Sequence, residues 1–401
     1  MEIVFSHEND KLSAVVSGRI DSTNAEELGK QILQALDETG AQIVVMDMSR
    51  LEYISSAGLR VLFKTQKRTG EMYLNQVSSS VYNVLKMTGF ISIFHVTQAA
   101  RRISLEGCEQ LSSGGNGKVF RLGKDEIIKV FTTNMSREEI QRTLDRAKAA
   151  FLAGVPTPIS YDVVDADDEG VIKPGVIYEM MADSTLATAI DQHPDQFEEY
   201  MQKYVSLVES MHDSVVDSSD MEDVKKMYRE RMGILKQYLT ADEMSLLYAL
   251  LDRIPDRNTF VHNDPHANNI MISGDELMFV DMDDCGKGHP IFDLASLHQD
   301  LISSASMEKR VPGCYMRVMG FPVETGARVW KRFVQLYFKT DDDIVRQIEQ
   351  LTAPYEAIRS MTIVAMKYAQ TDMLPQALSK YREELFPALP KLISMPFVWP
   401  K

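Results

Sequence analysis

The stretch from Phe260 to Ala295, FVHNDPHANNIMISGDELMFVDMDDCGKGHPIFDLA, decides how this chain is read. In it, His262-x-Asp264 is followed five residues after the aspartate by Asn269, and Asp281 comes twelve residues later, directly after the apolar run Leu277 to Val280. Ser273-Gly274-Asp275 is a turn signal between two short apolar runs, so Ile270 to Ile272 and Leu277 to Val280 are expected to pair as a hairpin. That pairing puts Asn269 and Asp281 at adjacent strand ends, where two hard oxygen donors face one cavity. Such a pair suits Mg²⁺ bound to a triphosphate, because this ion keeps waters and takes only one or two protein ligands. Further on, Asp293-Leu294-Ala295 begins a helix after His289-Pro290, where an aspartate can hydrogen-bond back to the loop.

Outward from this stretch, the 401 residues allow two or three folding units, and 44% hydrophobic with 25% charged residues is a globular composition with material for real cores. No apolar run approaches the ~20 residues that span a bilayer, and the start MEIVFSHENDK lacks the basic and apolar regions of a signal peptide. A cytoplasmic protein is expected. The formal charge of −15 disfavours nucleic acid, whose affinity is built on Lys and Arg. Nearly all of that excess lies beyond residue 100, with 34 basic against 47 acidic side chains there. It leans towards a cationic substrate, although solubility is the commoner reason for acidity. Cys108, Cys285 and Cys314 are far apart with no CxxC pair, so neither a disulfide framework nor a zinc ribbon is indicated.

The first hundred residues alternate short strands and helices. Lys11 to Ile20 is β-rich, Asp21 to Asn24 supply cap residues, and Ala25, Leu28, Ile32, Leu33 and Leu36 recur at helical spacing. Ile43 to Met48 suits a buried strand ending at Asp47-Met48-Ser49, and Leu59, Leu62, Phe63 and Gln66 mark a second helical face. After residue 104 a glycine cluster, Gly114-Gly115-Asn116-Gly117, precedes the strand-like Ile127 to Phe131 that carries Lys129, and helical patterns then dominate. The expected architecture is an α/β domain over 1–103 followed by an α+β two-lobed domain over 104–401, with a small β-rich lobe at 104–181 and a helical lobe at 182–401.

The spacing of Asp264 and Asn269 is that of a kinase catalytic loop, in which the aspartate takes the acceptor-hydroxyl proton and the asparagine binds metal. HNDPHANN, VDM and DLA together resemble the aminoglycoside phosphotransferase and choline kinase-like family, a branch of the protein-kinase fold. The resemblance implies an ATP- and Mg²⁺-dependent transferase with Asp264 as catalytic base, Asn269 and Asp281 as metal ligands and Asp293 as a structural residue. Asn263 stands where the family usually has glycine. The resemblance also implies that Gly114, Gly115 and Gly117 lie over the ATP phosphates and that Lys129 pairs with the α- and β-phosphates. It places adenine on the hinge strand Ile177 to Met181, at Glu179 and Met181. The family's helix-C glutamate falls near Thr143, with Glu139 and Asp145 on either side. His262 reads as a loop-organising histidine, and Asp283 and Asp284 read as exposed.

In the front domain, GRIDSTNAEEL, IVVMDMS, YISSAGLRVL and VYNVLKMTGF resemble a STAS domain of the anti-sigma factor antagonist type. The helix start after Ile54 places Ser55 and Ser56 where a helix dipole favours negative charge, so either is a candidate phosphorylation site, against the plainer reading of an N-cap. Aligned on Gly58-Leu59, Ser56 matches the family's phosphorylated serine, while Ser55 replaces the preceding aspartate. The expectation is a phosphotransferase acting on a small hydroxylated substrate, with a STAS module that senses or recruits a protein partner. The alternative is a signalling module whose kinase half phosphorylates a STAS serine, or binds nucleotide without catalysis.

Overall fold

In the computed structural model, residues 1–401 are described except 114–116, 133–134, 182–183, 217–220, 306–313 and 341, and Met1–Ile103 and Ser104–Lys401 form two compact units. Among the described residues no helix is long and apolar enough to cross a membrane.

The first unit is a five-stranded sheet in the order β1-β2-β3-β4-β5, with β1 (Glu2–Glu8), β2 (Lys11–Ile20), β3 (Ile43–Ile54), β4 (Glu71–Val77) and β5 (His95–Gln98). Only β1 runs antiparallel to its neighbour; the remaining pairs are parallel and are joined through α1 (Ala25–Thr39), α2 (Ser56–Thr69) and α3 (Ser79–Met87). Leu28, Ile32 and Leu36 of α1 and Leu59 and Leu62 of α2 are buried, the face that helical spacing selects. Strand β3 runs past Asp47-Met48-Ser49 to Ile54. Register irregularities against β2, beside Gly18 at φ +84°, bend the pair so that Leu51 and Ile54 still face the core. The first turn of α2 presses on β2 and β3. A Cβ at Gly58 would sit 2.5 Å from Ile20 Cγ2 and 2.8 Å from Ile54 Cγ1, so this position requires glycine.

A six-stranded sheet in the order β6-β10-β11-β9-β8-β7 begins at the boundary of the units with β6 (Arg101–Ser104) and continues in the second unit with β7 (Gln110–Ser113), β8 (Gly117–Arg121), β9 (Glu126–Phe131), β10 (Ser160–Asp168) and β11 (Val171–Glu179). Lys129 lies on β9 between Val119 of β8 and Val176 of β11. Helix α4 (Arg137–Leu152) starts at a capping box made by Ser136 and Glu139, and its buried stripe Ile140, Thr143, Leu144, Ala147 and Ala150 lies against β10, β11 and the 282–284 turn.

The rest is mainly helical: α5 (Leu186–Gln192), α6 (Phe197–Asp213), α7 (Val224–Arg231), α8 (Ala241–Asp252) and α9 (Ile291–His298), then helices over Val323–Phe338 and Asp342–Lys367. Two short ribbons serve the site, β12 (Thr259–Val261) with β15 (Gly286–Gly288) and β13 (Ile270–Ser273) with β14 (Glu276–Phe279). Helix α9 is buried on every side, so its polar residues need internal partners: Asp293 meets His212, and His298 meets Glu356 of the 342–367 helix. That long helix packs on α9 and so carries Arg359 towards the same region.

Candidate active site

The loop after β12 is held from below by Asp293. Its carboxylate accepts the backbone N–H of His262 at 3.1 Å and that of Asn263, and Oδ2 is also 2.8 Å from His212 Nε2, whose Nδ1 lies 2.7 Å from the Tyr337 hydroxyl. His262 is fully buried and fixes the next residue. Its Nδ1 accepts from the Asp264 backbone N–H at 3.3 Å, so Nε2 carries the hydrogen and donates it to the Val280 carbonyl at 3.0 Å. Asn263 adopts φ +67°, the left-handed region in which glycine costs nothing and asparagine is tolerated. Its Oδ1 accepts from the Tyr228 hydroxyl at 3.1 Å, which anchors the side chain that a glycine lacks.

The Asp264 carboxylate is surrounded by donors. Oδ1 accepts from Arg359 Nη2 at 3.0 Å and Ser296 Oγ at 3.2 Å; Oδ2 accepts from Asn269 Nδ2 at 3.2 Å and lies 3.6 Å from His266 Nε2. Burial disfavours its charge, but the His266 ring and the Arg359 guanidinium outweigh burial and bring the carboxyl down to about 2. Asn269 Nδ2 also donates to the Asp264 carbonyl at 2.9 Å, which orients the amide and leaves Oδ1 as the oxygen available to a cation. The β13–β14 hairpin forms with Ile270 opposite Phe279, and the Val280 N–H reaches the Asn269 carbonyl at 2.8 Å, so Asn269 and Asp281 stand at neighbouring strand ends.

Asp281 turns the chain with φ +62° and presents its carboxylate to Lys129, 2.6 Å away. Lys129 Nζ also bonds Asp283 Oδ2 at 2.5 Å. Asp283 is therefore not exposed. Its side chain is 14% accessible, and burial, with the charge of Asp281 added, pushes its carboxyl up to about 7 against the pull of Lys129. Burial opposes the charge on Asp281 too, but Lys129 outweighs it and keeps that carboxyl low. Asp284 is the more accessible of the two and pairs with Arg231. At the helix-C position α4 offers no carboxylate to Lys129: Thr143 is buried and bonds its own helix, Glu139 closes the capping box, and Asp145 bonds Gln141. Arg146 stands one turn further on, donating to the Asp283 carbonyl at 2.6 Å and pairing with Glu222.

Gly117 opens β8 where a Cβ would lie 2.3 Å from the Val130 carbonyl oxygen, so glycine is needed there for strand approach beside Lys129. Gly114 and Gly115 lie outside the described residues. Glu179 ends β11 with its N–H on the Ile159 carbonyl at 2.8 Å and its carboxylate on the Ile159 N–H at 3.1 Å; the buried Met181 follows. In the first unit, Ser55 is the N-cap of α2, its Oγ accepting from Gly58 N at 3.4 Å, and Ser56 is the exposed first residue of the helix.

Lys129 of β9 thus meets a single 262–283 segment that brings two carboxylates and an amide together. Residues 107–312 match the model of the phosphotransferase enzyme family, APH. The chain belongs to that family. Its first unit, over residues 7–102, matches the STAS domain. Over 103 residues the chain is 36% identical to a Bordetella bronchiseptica protein named "Putative anti-sigma factor antagonist BtrV", covering 25% of this chain and 88% of that protein. Among solved structures, a choline/ethanolamine kinase family protein from Mesorhizobium loti aligns with TM-score 0.41 and 17% identity over 72% of this chain and 88% of its own. The gentamicin complex of APH(2″)-IIa aligns with TM-score 0.45 and 17% identity over 69% and 91%. An anti-sigma factor antagonist from Mycobacterium paratuberculosis aligns with TM-score 0.22 and 21% identity over 24% and 83%. The chain is an α/β STAS domain followed by a kinase-like phosphotransferase domain.

Sequence reasoning left out Asp283, Ser296, Asp300 and Arg359. The stripe Asp293, Ser296 and Asp300, at helical spacing i, i+3 and i+7 on a segment that also holds the polar His298 and Gln299, is a signal that could have found two of them. Arg359 carries no local signal, because its partner is 95 residues away.

Proposed function

We propose that this protein is an ATP- and Mg²⁺-dependent phosphotransferase that moves the γ-phosphoryl group to a hydroxyl of a small molecule, with a STAS module that regulates it or recruits a partner. The observation that supports this best is that one loop and hairpin bring Asp264, Asn269 and Asp281 together and Lys129 of β9 meets Asp281 there. Asn269 and Asp281 would hold the metal, whose chemistry is to neutralise and orient the phosphates. Lys129 faces the α- and β-phosphates, Gly114, Gly115 and Gly117 cover them, and the backbone at Glu179 and Met181 receives adenine. These assignments divide the catalytic domain, 104–401, into a small lobe over 104–181 and a helical lobe over 182–401, with the STAS domain at 1–103 and the whole protein cytoplasmic. With its carboxyl near 2, Asp264 is ionised throughout the physiological range. Its work is to accept a hydrogen bond from the acceptor hydroxyl and aim it, since phosphoryl transfer relies on positioning and charge neutralisation more than on a strong base.

Calorimetry of ATP binding with and without Mg²⁺ tests the reading. Wild type should gain at least tenfold in affinity from the metal, and Asn269→Ala and Asp281→Ala should each lose that gain; affinity independent of Mg²⁺ in wild type would refute it.

A second reading rests on Ser56, exposed at the first position of a 14-residue helix whose N-terminus favours a phosphate. In it the kinase domain phosphorylates Ser56 or Ser55, in this chain or on a partner, or binds nucleotide without catalysis, as the pairing of Lys129 with Asp283 in place of a helix glutamate would suit. Intact mass after incubation with Mg²⁺ and ATP, followed by peptide mapping, separates the two readings. A phosphate at residues 55–56 favours the second, and ADP release on a small-molecule acceptor without a gain in mass favours the first.

A further inference from the structure

Three hydrogen bonds reach the Asp264 carboxylate, from Arg359 and Ser296 at Oδ1 and from Asn269 at Oδ2, with His266 Nε2 3.6 Å from Oδ2, and the Asp264 side chain is 33% exposed. Asn269 is also tied to the Asp264 carbonyl, and Ser296 also bonds Asp300 Oδ2 at 3.3 Å, on the buried helix α9. Arg359 and His266 each keep a buried nitrogen without a partner, and of the two Arg359 carries the permanent charge. Its side chain is 11% exposed, one Nη2 reaches Asp264, the Tyr228 hydroxyl lies beside it, and its buried Nε–H has no partner. A guanidinium offers five donors in a planar fork that fits two oxygens of one anion, and an idle buried N–H is costly. The other carboxylates that face Arg359 do not complete the fork. Asp284 is bonded to Arg231, and Asp300 bonds Ser296, its carboxyl raised to about 7 by burial and then by the Asp264 charge.

Resting on the phosphotransferase reading, we propose that Arg359 selects the acceptor: the substrate carries a carboxylate or phosphate next to the hydroxyl that receives the phosphoryl group. The anion takes the fork of Arg359, which leaves Asp264 Oδ1, and the hydroxyl takes the vacated position. Anion recognition then sets the neighbouring hydroxyl against the catalytic carboxylate. A neutral or cationic acceptor offers Arg359 nothing. The acidity of the chain beyond residue 100 therefore does not set the sign of the substrate's charge.

The test is ADP release by the full chain with matched probes: glycerate against glycerol, glucose 6-phosphate against glucose, and ethanolamine and kanamycin as cations. Acceptor-free ATP hydrolysis, compared between wild type and Asp264→Ala, reports the underlying phosphotransferase reading on its own. The expected result is that an anionic probe raises ADP release at least tenfold above the acceptor-free rate while its neutral partner does not, and that Arg359→Gln removes the preference. Arg359→Lys keeps the charge, loses the fork and guards against misfolding; it should raise KM for the anionic probe at least tenfold with little change in kcat. Calorimetric binding of glycerate or glucose 6-phosphate to the ATP-free protein, present in wild type and lost in Arg359→Lys, supports the proposal even without turnover. Three results would overturn it: stimulation by neutral or cationic probes equal to or above that of the anions, no binding or stimulation by any anionic probe, or an equal fall in kcat for every acceptor in Arg359→Lys. The last would mean that Arg359 serves the transferring phosphoryl group instead.

Discussion

Replacing Lys129 by methionine removes one cation from between two carboxylates while keeping the length of the side chain. Lys129 Nζ lies 2.6 Å from Asp281, and at an effective dielectric of ~20 one such contact is worth about 6 kcal/mol before desolvation is subtracted. Desolvation offsets most of that, and removing one member of a buried pair typically costs about 3–5 kcal/mol. The structure indicates the lower end, because Asp283 already has its carboxyl raised to about 7 and can take a proton when Lys129 is gone. At about 3 kcal/mol, the unfolding transition of the catalytic domain should fall by roughly 6 °C. Adding Asp283→Asn to Lys129→Met should recover about half of the loss, whereas Asp283→Asn alone leaves Lys129 with Asp281. Differential scanning calorimetry of the four proteins at pH 7.5 gives the coupling directly. A shift under ~1 °C in Lys129→Met, or strict additivity in the double variant, would refute the assignment of Asp283 as the counter-ion of Lys129.

Gly117→Ala should lower the same transition and raise the KM for ATP severalfold, because its Cβ would meet the Val130 carbonyl oxygen at 2.3 Å; an unchanged melting curve would contradict the approach of β8 to β9. Asn263→Gly should be close to neutral, within about 1 kcal/mol, since glycine accepts φ +67° and the Asn263 amide nitrogen is buried without a partner. A loss above ~2 kcal/mol in denaturant titration would mean that the bond from Tyr228 anchors the loop. For Asp300, burial raises the folded carboxyl from 3.8 to about 7, so the folded state holds the proton longer than the unfolded chain. Its contribution is therefore fully favourable below about pH 4 and is lost as pH rises through 7. Asp300→Asn should flatten that decline, visible as a smaller fall in melting temperature between pH 5 and pH 8 than in wild type; an equal fall would contradict the assignment.

The strand and helix pattern of the front domain was legible because one face of each element is buried and the apolar spacing records which face. Strand β3 was read too short because Ser49 and Arg50 break the apolar run, while the irregular pairing with β2 that carries the strand on to Ile54 is a property of two chains of atoms and not of one segment. In the catalytic domain, Asp264, Asn269 and Asp281 could be picked out because they lie within 18 residues and a single hairpin fixes their relation. The counter-ion of Lys129 could not be found from α4, because the carboxylate comes from the turn after β14, 154 residues later. Asp283 looked like an exposed polar residue next to another acid. Only the return of that turn against β9 buries it. Arg359 is the extreme case: nothing near it in the sequence points to Asp264, and the packing of the 342–367 helix on α9 creates the pair.

On the proposed function, Asp264 serves the transfer step and not nucleotide binding. Its side chain bonds Asn269, Ser296 and Arg359 and shares no hydrogen bond with Lys129, Asp281 or Asp283 among the described residues. The decisive measurement is Mg²⁺-dependent ADP release by Asp264→Ala alongside its affinity for ATP. Turnover should fall about 10³-fold or more, with the Kd for ATP in the presence of Mg²⁺ within about threefold of wild type. Turnover within tenfold of wild type in that variant would contradict it.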